Sequence, residues 1–236
     1  MSIPAMLHFY WNAPSGDNSP PPSDVQKNVS AWIDLHPSFQ YKVWTLQELH
    51  SLLKHFHGLK VLEAIEACRF EAMKSDIVRL VVVYEYGGFY SDLKNFPLKA
   101  FLDQLINENV AVITEHPPTI PLEDFTGHYS NAFLAGPPKH PLFLEILTAV
   151  CEKIARREQG GVTDITGLGV LKKVIQRQNY KPQGGSFKCL SSQDAWGLRG
   201  VDGGLMKRTP ASYNGFEMRS HWSTLQKCGG IYTSSA

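Results

Sequence analysis

At 236 residues and a net charge of +1, the chain has room for one large domain and carries no dense Lys/Arg block that would draw it to nucleic acid. An apolar fraction of 43% supports a continuous core. No apolar run approaches the ~20 residues that span a bilayer. The opening MSIPAMLHFYW lacks a basic leader and a cleavage pattern, so it does not read as a signal peptide. A soluble, cytoplasmic setting is the expectation, with delivery as a secreted effector or toxin left open.

In chain order, Met6 to Trp11 predicts a buried first strand, and the Pro-, Ser- and Gly-rich run 12–23 a loop. Ser23 is placed to cap a helix on which Val25, Val29, Ile33 and His36 share a face until Pro37. Gln40 to Trp44 alternates as a second strand, and Thr45-Leu46-Gln47-Glu48 is a capping box opening the next helix. Cys68 to Tyr86 predicts a helix buried on several sides; Gly87-Gly88 stops it, and Phe89 to Leu93 follows as a strand. A helix near Leu98 to Asn107 leads to a strand at Val110 to Thr114, after which Pro117, Pro118 and Pro121 enforce a loop. Asn131 to Ala135 is another strand, Pro141 opens a helix through Arg157, and Thr166 caps one through Gln178. The segment 180–236 is Gly-rich and irregular. Strands alternating with helices predict an α/β fold with a mostly parallel sheet, whose ligands sit at the C-terminal strand ends where Trp11, Asp92 and Thr114 converge.

The four cysteines, Cys68, Cys151, Cys189 and Cys228, form no C-x-x-C and read as free thiols, and His55 and His57 as a surface helix end. Thr166-Gly167-Leu168-Gly169 falls short of a dinucleotide fingerprint, and Ser186, Ser191 and Ser192 lack a nucleophile elbow. Asp92 is the sharpest candidate for chemistry. A carboxylate at the end of a buried strand accepts a sugar hydroxyl or coordinates Mg²⁺ or Mn²⁺; the alternative is an Asp that caps a turn. Asp76 and Arg79 lie three apart on one helix face, either as an ordinary ion pair or as a charged pair entering a buried region for a purpose. Trp11 reads as core or as a platform for a base. Glu217, Ser220 and Trp222 form E-x-x-S-x-W, whose oxygens and indole N–H suit a metal or a leaving phosphate.

Together these pieces resemble the DXD-containing sugar transferases of glycosyltransferase family 32 and the catalytic domains of the large clostridial glucosylating toxins. IPAMLHFYW is similar to the family's opening strand, AMKSDIVRLVVVYEYGGFYSDL to its central block, SNAFLAGPPKHPLF to the next segment and EMRSHW to its close. The resemblance implies a single GT-A (Rossmann-like) domain over 1–236, with 180–236 closing the donor site. It implies transfer, with retention, of a sugar from a UDP- or GDP-sugar to a glycan or protein acceptor, with Mn²⁺ or Mg²⁺. By position it implies that Tyr10 and Trp11 hold the base, that Asp76 and Arg79 hold the donor sugar with Asn131 nearby, and that Tyr90 and Asp92 contact ribose, sugar and metal. Ser220 and Trp222 close over the diphosphate, and Asp92, Glu217 and Ser220 ligate the metal. Asp92, Asp76 and Arg79 are the implied catalytic residues. The loops 12–23 and 115–130 are the expected acceptor contacts.

Where the motif's second Asp is expected, this chain has Lys94. An ammonium has no lone pair and repels a divalent cation. Three outcomes follow from the sequence: Lys94 takes over the metal's charge at the diphosphate, a weaker metal persists on Asp92, Glu217 and Ser220, or the protein binds a nucleotide sugar without turning it over.

Overall fold

Successive residues along the strands belong to opposite faces of a central sheet. Phe9, Phe89, Val112 and Phe133 enter one apolar cluster, while their neighbours Tyr10, Tyr90, Ile113 and Leu134 enter the other. A strand buried on both faces reads as a continuous apolar run, the pattern expected of parallel sheets covered by helices. The computed structural model describes residues 1–13, 19–115, 129–177, 187–197, 203–209 and 222–233.

The strands are β1 (Met6–Tyr10), β2 (Gln40–Trp44), β3 (Gly88–Ser91), β4 (Asn95–Pro97), β5 (Ala111–Glu115), β6 (Tyr129–Gly136), β7 (Phe187–Leu190) and β8 (Met206–Arg208). Six form one sheet in the order β2-β1-β3-β6-β5-β7, and β4 pairs with β8 in a separate ribbon. Within the sheet β1 runs parallel to β2 and β3, and β5 to β7, while β6 is antiparallel to both of its neighbours. The C-terminal ends of five strands and the start of β6 therefore share one edge.

The helices are α1 (Ser23–Leu35), α2 (Leu46–His55), α3 (Val61–Ala67), α4 (Glu71–Tyr86), α5 (Pro141–Ala155), α6 (Val162–Ile165), α7 (Leu168–Arg177), α8 (Ser192–Trp196) and α9 (Trp222–Cys228). Helix α4 is the central one. It packs between the sheet and α5, and every residue from Asp76 to Val83 is buried. No helix among the described residues is long and apolar enough to cross a membrane.

Two glycines end α4 for separate reasons. Gly87 caps the helix at φ 65°, its N–H donating to the Val83 carbonyl. Gly88 starts β3 at φ 89°, where a Cβ would sit 2.4 Å from the Met6 carbonyl oxygen of β1. Only glycine allows both that dihedral and that approach. Beside them His8 is fully buried; Trp44 Nε1–H donates to its Nδ1 at 3.0 Å, so its Nε2–H donates to the Gly87 carbonyl at 2.9 Å.

The Thr45 capping box forms as expected: Glu48 N–H donates to Thr45 Oγ1, and Thr45 N–H to Glu48 Oε2 at 3.0 Å. Thr45→Ala is expected to cost about 1 kcal/mol in urea unfolding, and an unchanged midpoint would show that the box contributes nothing.

Several boundaries differ from expectation. Pro22, not Ser23, is the N-cap of α1, and Ser23 is its first helical residue. The expected helix from Cys68 begins only at Glu71, because Cys68 forms a β-bridge with Tyr232 and the short α3 precedes it. The strand after Gly87 runs Gly88–Ser91 and stops before Leu93. Between Leu98 and Asn107 there is only a 3₁₀ turn, Leu102–Gln104, where the Phe101 and Leu102 N–H groups donate to His36 Nε2 instead of building a helix. Thr166 terminates α6 rather than capping α7, and its hydroxyl is engaged elsewhere. The segment 180–236 holds β7, α8, β8 and α9 among its described residues. Cys68 and Cys151 are free and buried, and Cys189 is free and exposed. Pro117, Pro118, Pro121, Gln178 and Ser186 lie outside the described residues.

Candidate active site

A cavity of about 560 Å³ opens at the edge where β1 and β3 end. Tyr10 of β1 and Trp11 just after it, Asp76 and Arg79 of α4, Tyr90, Asp92 and Lys94 of β3 and its following turn, Asn131 of β6, and Trp222 of α9 all line it. Glu217 and Ser220 lie outside the described residues, and Thr114, expected to converge with Trp11 and Asp92, is fully buried in β5 and does not line the cavity. A larger hollow of about 680 Å³ lies between Arg157, Gln226 and Tyr232 and contains none of the expected site residues.

Arg79 ties the site together. Its guanidinium is buried and donates to the Ser75 carbonyl at 3.1 Å, to Ser75 Oγ at 2.9 Å and to the Asn131 carbonyl at 2.6 Å. The same group lies 3.2 Å from Asp76 Oδ1 and 3.2 Å from Asp92 Oδ1, and its carbon sits 5.0 Å over the Tyr90 ring. One planar cation thus fixes α4 against the ends of β3 and β6. A lysine could not make these contacts, because it has no planar fork and no ring-stacking face.

Asp76 is held by Asn131 Nδ2–H at 2.8 Å and by the Thr166 hydroxyl at 2.9 Å. Burial raises its pKa; Arg79 and Thr166 work against that shift, and Asp92 adds to it. The ordinary i, i+3 reading of Asp76 and Arg79 therefore captures only a part of their environment. Both are buried, and each bonds to elements distant in sequence.

Tyr90 is buried, with its hydroxyl 3.1 Å from Ser75 Oγ, and burial pushes its phenol pKa up. The Tyr10 hydroxyl donates to Glu71 Oε2 at 3.0 Å; burial first, then the Glu71 charge, keeps it protonated. Glu71 in turn pairs with Lys74 at 2.6 Å. Trp11 packs in the apolar cluster under α1 and also forms cavity wall, with its indole N–H donating to the Ser19 carbonyl at 2.8 Å.

Asp92 is more open to the cavity than Asp76, at 25% side-chain exposure against 9%. Its backbone N–H donates to the Ala132 carbonyl, which anchors the end of β3 on β6. Lys94 follows on the same wall. Burial lowers its pKa, the neighbouring Asp92 opposes the shift, and Arg208 reinforces it. A divalent cation of the Mn²⁺ or Mg²⁺ kind takes about six oxygen ligands, commonly including carboxylates. Among the described residues no three His, Cys, Asp or Glu side chains come together. Asp76 is occupied by Asn131, Thr166 and Arg79, Asp92 by Arg79, and Lys94 and Arg208 occupy the same cavity. Among the described residues the carboxylates do not make a site for the expected metal; Glu217 and Ser220, its other expected ligands, lie outside them.

Four residues escaped the sequence reading. Ser75 stands one turn before Arg79 and was legible in principle, as a hydroxyl at i−4 from a buried arginine. Glu71, Thr166 and Arg208 reach the site only through tertiary pairing, and nothing local marks them.

Residues 22–112 match the family described as glycosyltransferase sugar-binding region containing DXD motif. Inositol phosphoceramide mannosyltransferase 2 of Schizosaccharomyces pombe is 27% identical over 154 residues, 65% of this chain and 40% of that protein. The chain thus spans less than half of the length of that relative. Among solved structures, PaToxG glycosyltransferase superposes with a TM-score of 0.54 at 15% identity, covering 98% of this chain and 90% of that one. The ligand-free glycosyltransferase domain of the YGT toxin gives 0.50 at 10% identity, covering 80% of each. These likenesses carry the fold, which is that of the GT-A glycosyltransferases. The chain thus has the GT-A fold and, over residues 22–112, a sequence similar to the sugar-binding region of the DXD-containing glycosyltransferases.

Proposed function

We propose that this protein transfers a sugar from a nucleotide-sugar donor, a UDP- or GDP-sugar, to an acceptor with retention at the anomeric carbon. The observation that carries this reading is the shared cavity of Tyr10, Trp11, Asp76, Arg79, Tyr90, Asp92 and Asn131. Trp11 offers a ring to the base. Asp76, with lone pairs beyond those taken by Asn131 and Thr166, and Asp92, with its second oxygen, accept sugar and ribose hydroxyls. Arg79 holds both acids in position, and Trp222 walls the side where the diphosphate lies. Residues 180–236 close that side, and the loops 12–23 and 115–130 contact the acceptor.

A panel of UDP- and GDP-sugars, GDP-mannose among them because of the mannosyltransferase relative, assayed by mass spectrometry for hydrolysis and transfer, tests the reading. Calorimetry on the same panel separates binding from turnover. Release of one nucleoside diphosphate supports sugar transfer; binding of a donor with no release supports a second reading, a nucleotide-sugar-binding protein, which Lys94 at the motif's last position favours. Absence of binding by every donor would overturn both. Asp92→Asn, which keeps the shape and removes the charge, is expected to weaken donor binding roughly tenfold.

A further inference from the structure

Lys94, which stands where the motif's second acid is expected, lines the same cavity wall as Asp92, and Arg208 lines it too. Two basic side chains at the place of an expected metal ligand suit the oxygens of a diphosphate rather than a divalent cation. Resting on the donor-site reading, we propose that Lys94 and Arg208 form a clamp that holds the donor's diphosphate directly and carries the charge a divalent cation would otherwise supply.

The two residues come from distant parts of the chain and are brought side by side by the β4–β8 ribbon, in which Asn95 pairs with Arg208. The Lys94 carbonyl accepts the Thr209 N–H at 2.8 Å and the Thr209 hydroxyl at 3.1 Å. Asn28 Nδ2–H locks the same junction from α1, donating to the Leu93 carbonyl at 2.8 Å and to Thr209 Oγ1 at 2.7 Å. Trp32 Nε1–H adds a bond to the Asn95 carbonyl at 2.9 Å. The backbone under both cations is therefore fixed before any ligand arrives, which is what makes a charge effective in catalysis. Arg208 also lies 5.6 Å from the Trp196 ring centre, a second contact that restrains its guanidinium. Arginine meets phosphate oxygens in pairs and lysine as a point charge, so one diphosphate suits both.

On transfer the anomeric C–O bond breaks, its electron pair passes to the β-phosphate oxygen, and the acceptor oxygen bonds the anomeric carbon. The acceptor's proton leaves to the departing diphosphate. The negative charge grows on the leaving oxygen, so a cation there lowers the barrier.

Calorimetry with UDP, GDP, uridine and guanosine, in EDTA and in Mn²⁺, tests the clamp on the wild type, Lys94→Ala, Arg208→Ala, Lys94→Arg and Lys94→Asp. The expected result is diphosphate binding that is equal in EDTA and Mn²⁺, falls about tenfold or more in each alanine variant and is largely kept in Lys94→Arg. Nucleoside binding should be unchanged throughout, which also shows that the variants fold. Lys94→Asp should bind the diphosphate better with Mn²⁺ than with EDTA. Diphosphate binding by the wild type that needs Mn²⁺, or alanine variants that bind like the wild type, would overturn the clamp and leave the donor site standing. If neither nucleoside nor diphosphate binds the wild type, the donor-site reading falls and takes the clamp with it.

Discussion

Replacing Arg79 with leucine is expected to lower the stability of the fold by about 3–5 kcal/mol, the usual consequence of leaving a buried charge without its partner. Asp76 and Arg79 are 9% and 6% exposed at the side chain, so water cannot take the cation's place. The loss is compounded because the same guanidinium satisfies the Ser75 and Asn131 carbonyls, which would be left with fewer donors. Urea unfolding of the single variant and of Arg79→Leu with Asp76→Asn separates the terms. Removing the stranded carboxylate should recover more than about 1 kcal/mol of the loss, since charges in contact couple by that order. A single variant that loses less than 1 kcal/mol, or a double variant no better than the single one, would mean that Arg79 does not neutralise Asp76 in the folded protein.

The second large effect is acid sensitivity at His8. Burial lowers its pKa from 6.5 to about 4, against a weaker opposing pull from the Gly87 carbonyl. A proton on Nδ1 would also face the indole N–H of Trp44, two donors at 3.0 Å. The unfolded chain takes up this proton near pH 6.5 while the native state refuses it until about pH 4. His8 therefore contributes no penalty above pH 6.5, and stability is lost progressively as pH falls from there to about 4. The total for this residue is about 3 kcal/mol. Asp76, raised by burial, adds a slope of the opposite sign above the ordinary carboxylate value, so the His8 share is the difference between wild type and His8→Gln. NMR titration of the histidine rings gives an independent reading: one imidazole should stay neutral through pH 5. A His8 ring that titrates near 6.5 would sink the argument.

What the sequence made legible here was mostly local. The Thr45 box and the Gly87-Gly88 break are set by a few neighbouring residues, and both stand where the pattern puts them. The pair Asp76 and Arg79 was visible as a spacing, but its burial became meaningful only beside Tyr90 and Asn131, which lie on two different strands. Thr166 shows why local reasoning then fails. A threonine before a helix looks like a cap, yet its hydroxyl is taken by Asp76, ninety residues away in sequence. The stretch Leu98 to Asn107 has helical composition, but the N–H groups of Phe101 and Leu102 are claimed by His36. Arg208 was invisible for the same reason, because its place beside Lys94 depends on a β4–β8 pairing that no window of sequence contains.

Arg79 and Asp76 are part of the core as well as of the cavity, and this limits how the protein can be altered. Substitutions there change folding before they change preference for one donor over another, so selection on donor choice will rarely find a viable path through them. Trp222 is freer: it lines the cavity but lies outside the apolar clusters' buried cores, whereas Lys94 and Arg208 serve the diphosphate that every such donor carries. A library meant to redirect the sugar or the base should vary such rim positions and keep the inner pair and the clamp constant. Divergent relatives would be expected to differ most at the same rim, with the fixed pair acting as the inherited frame around which new specificities are fitted.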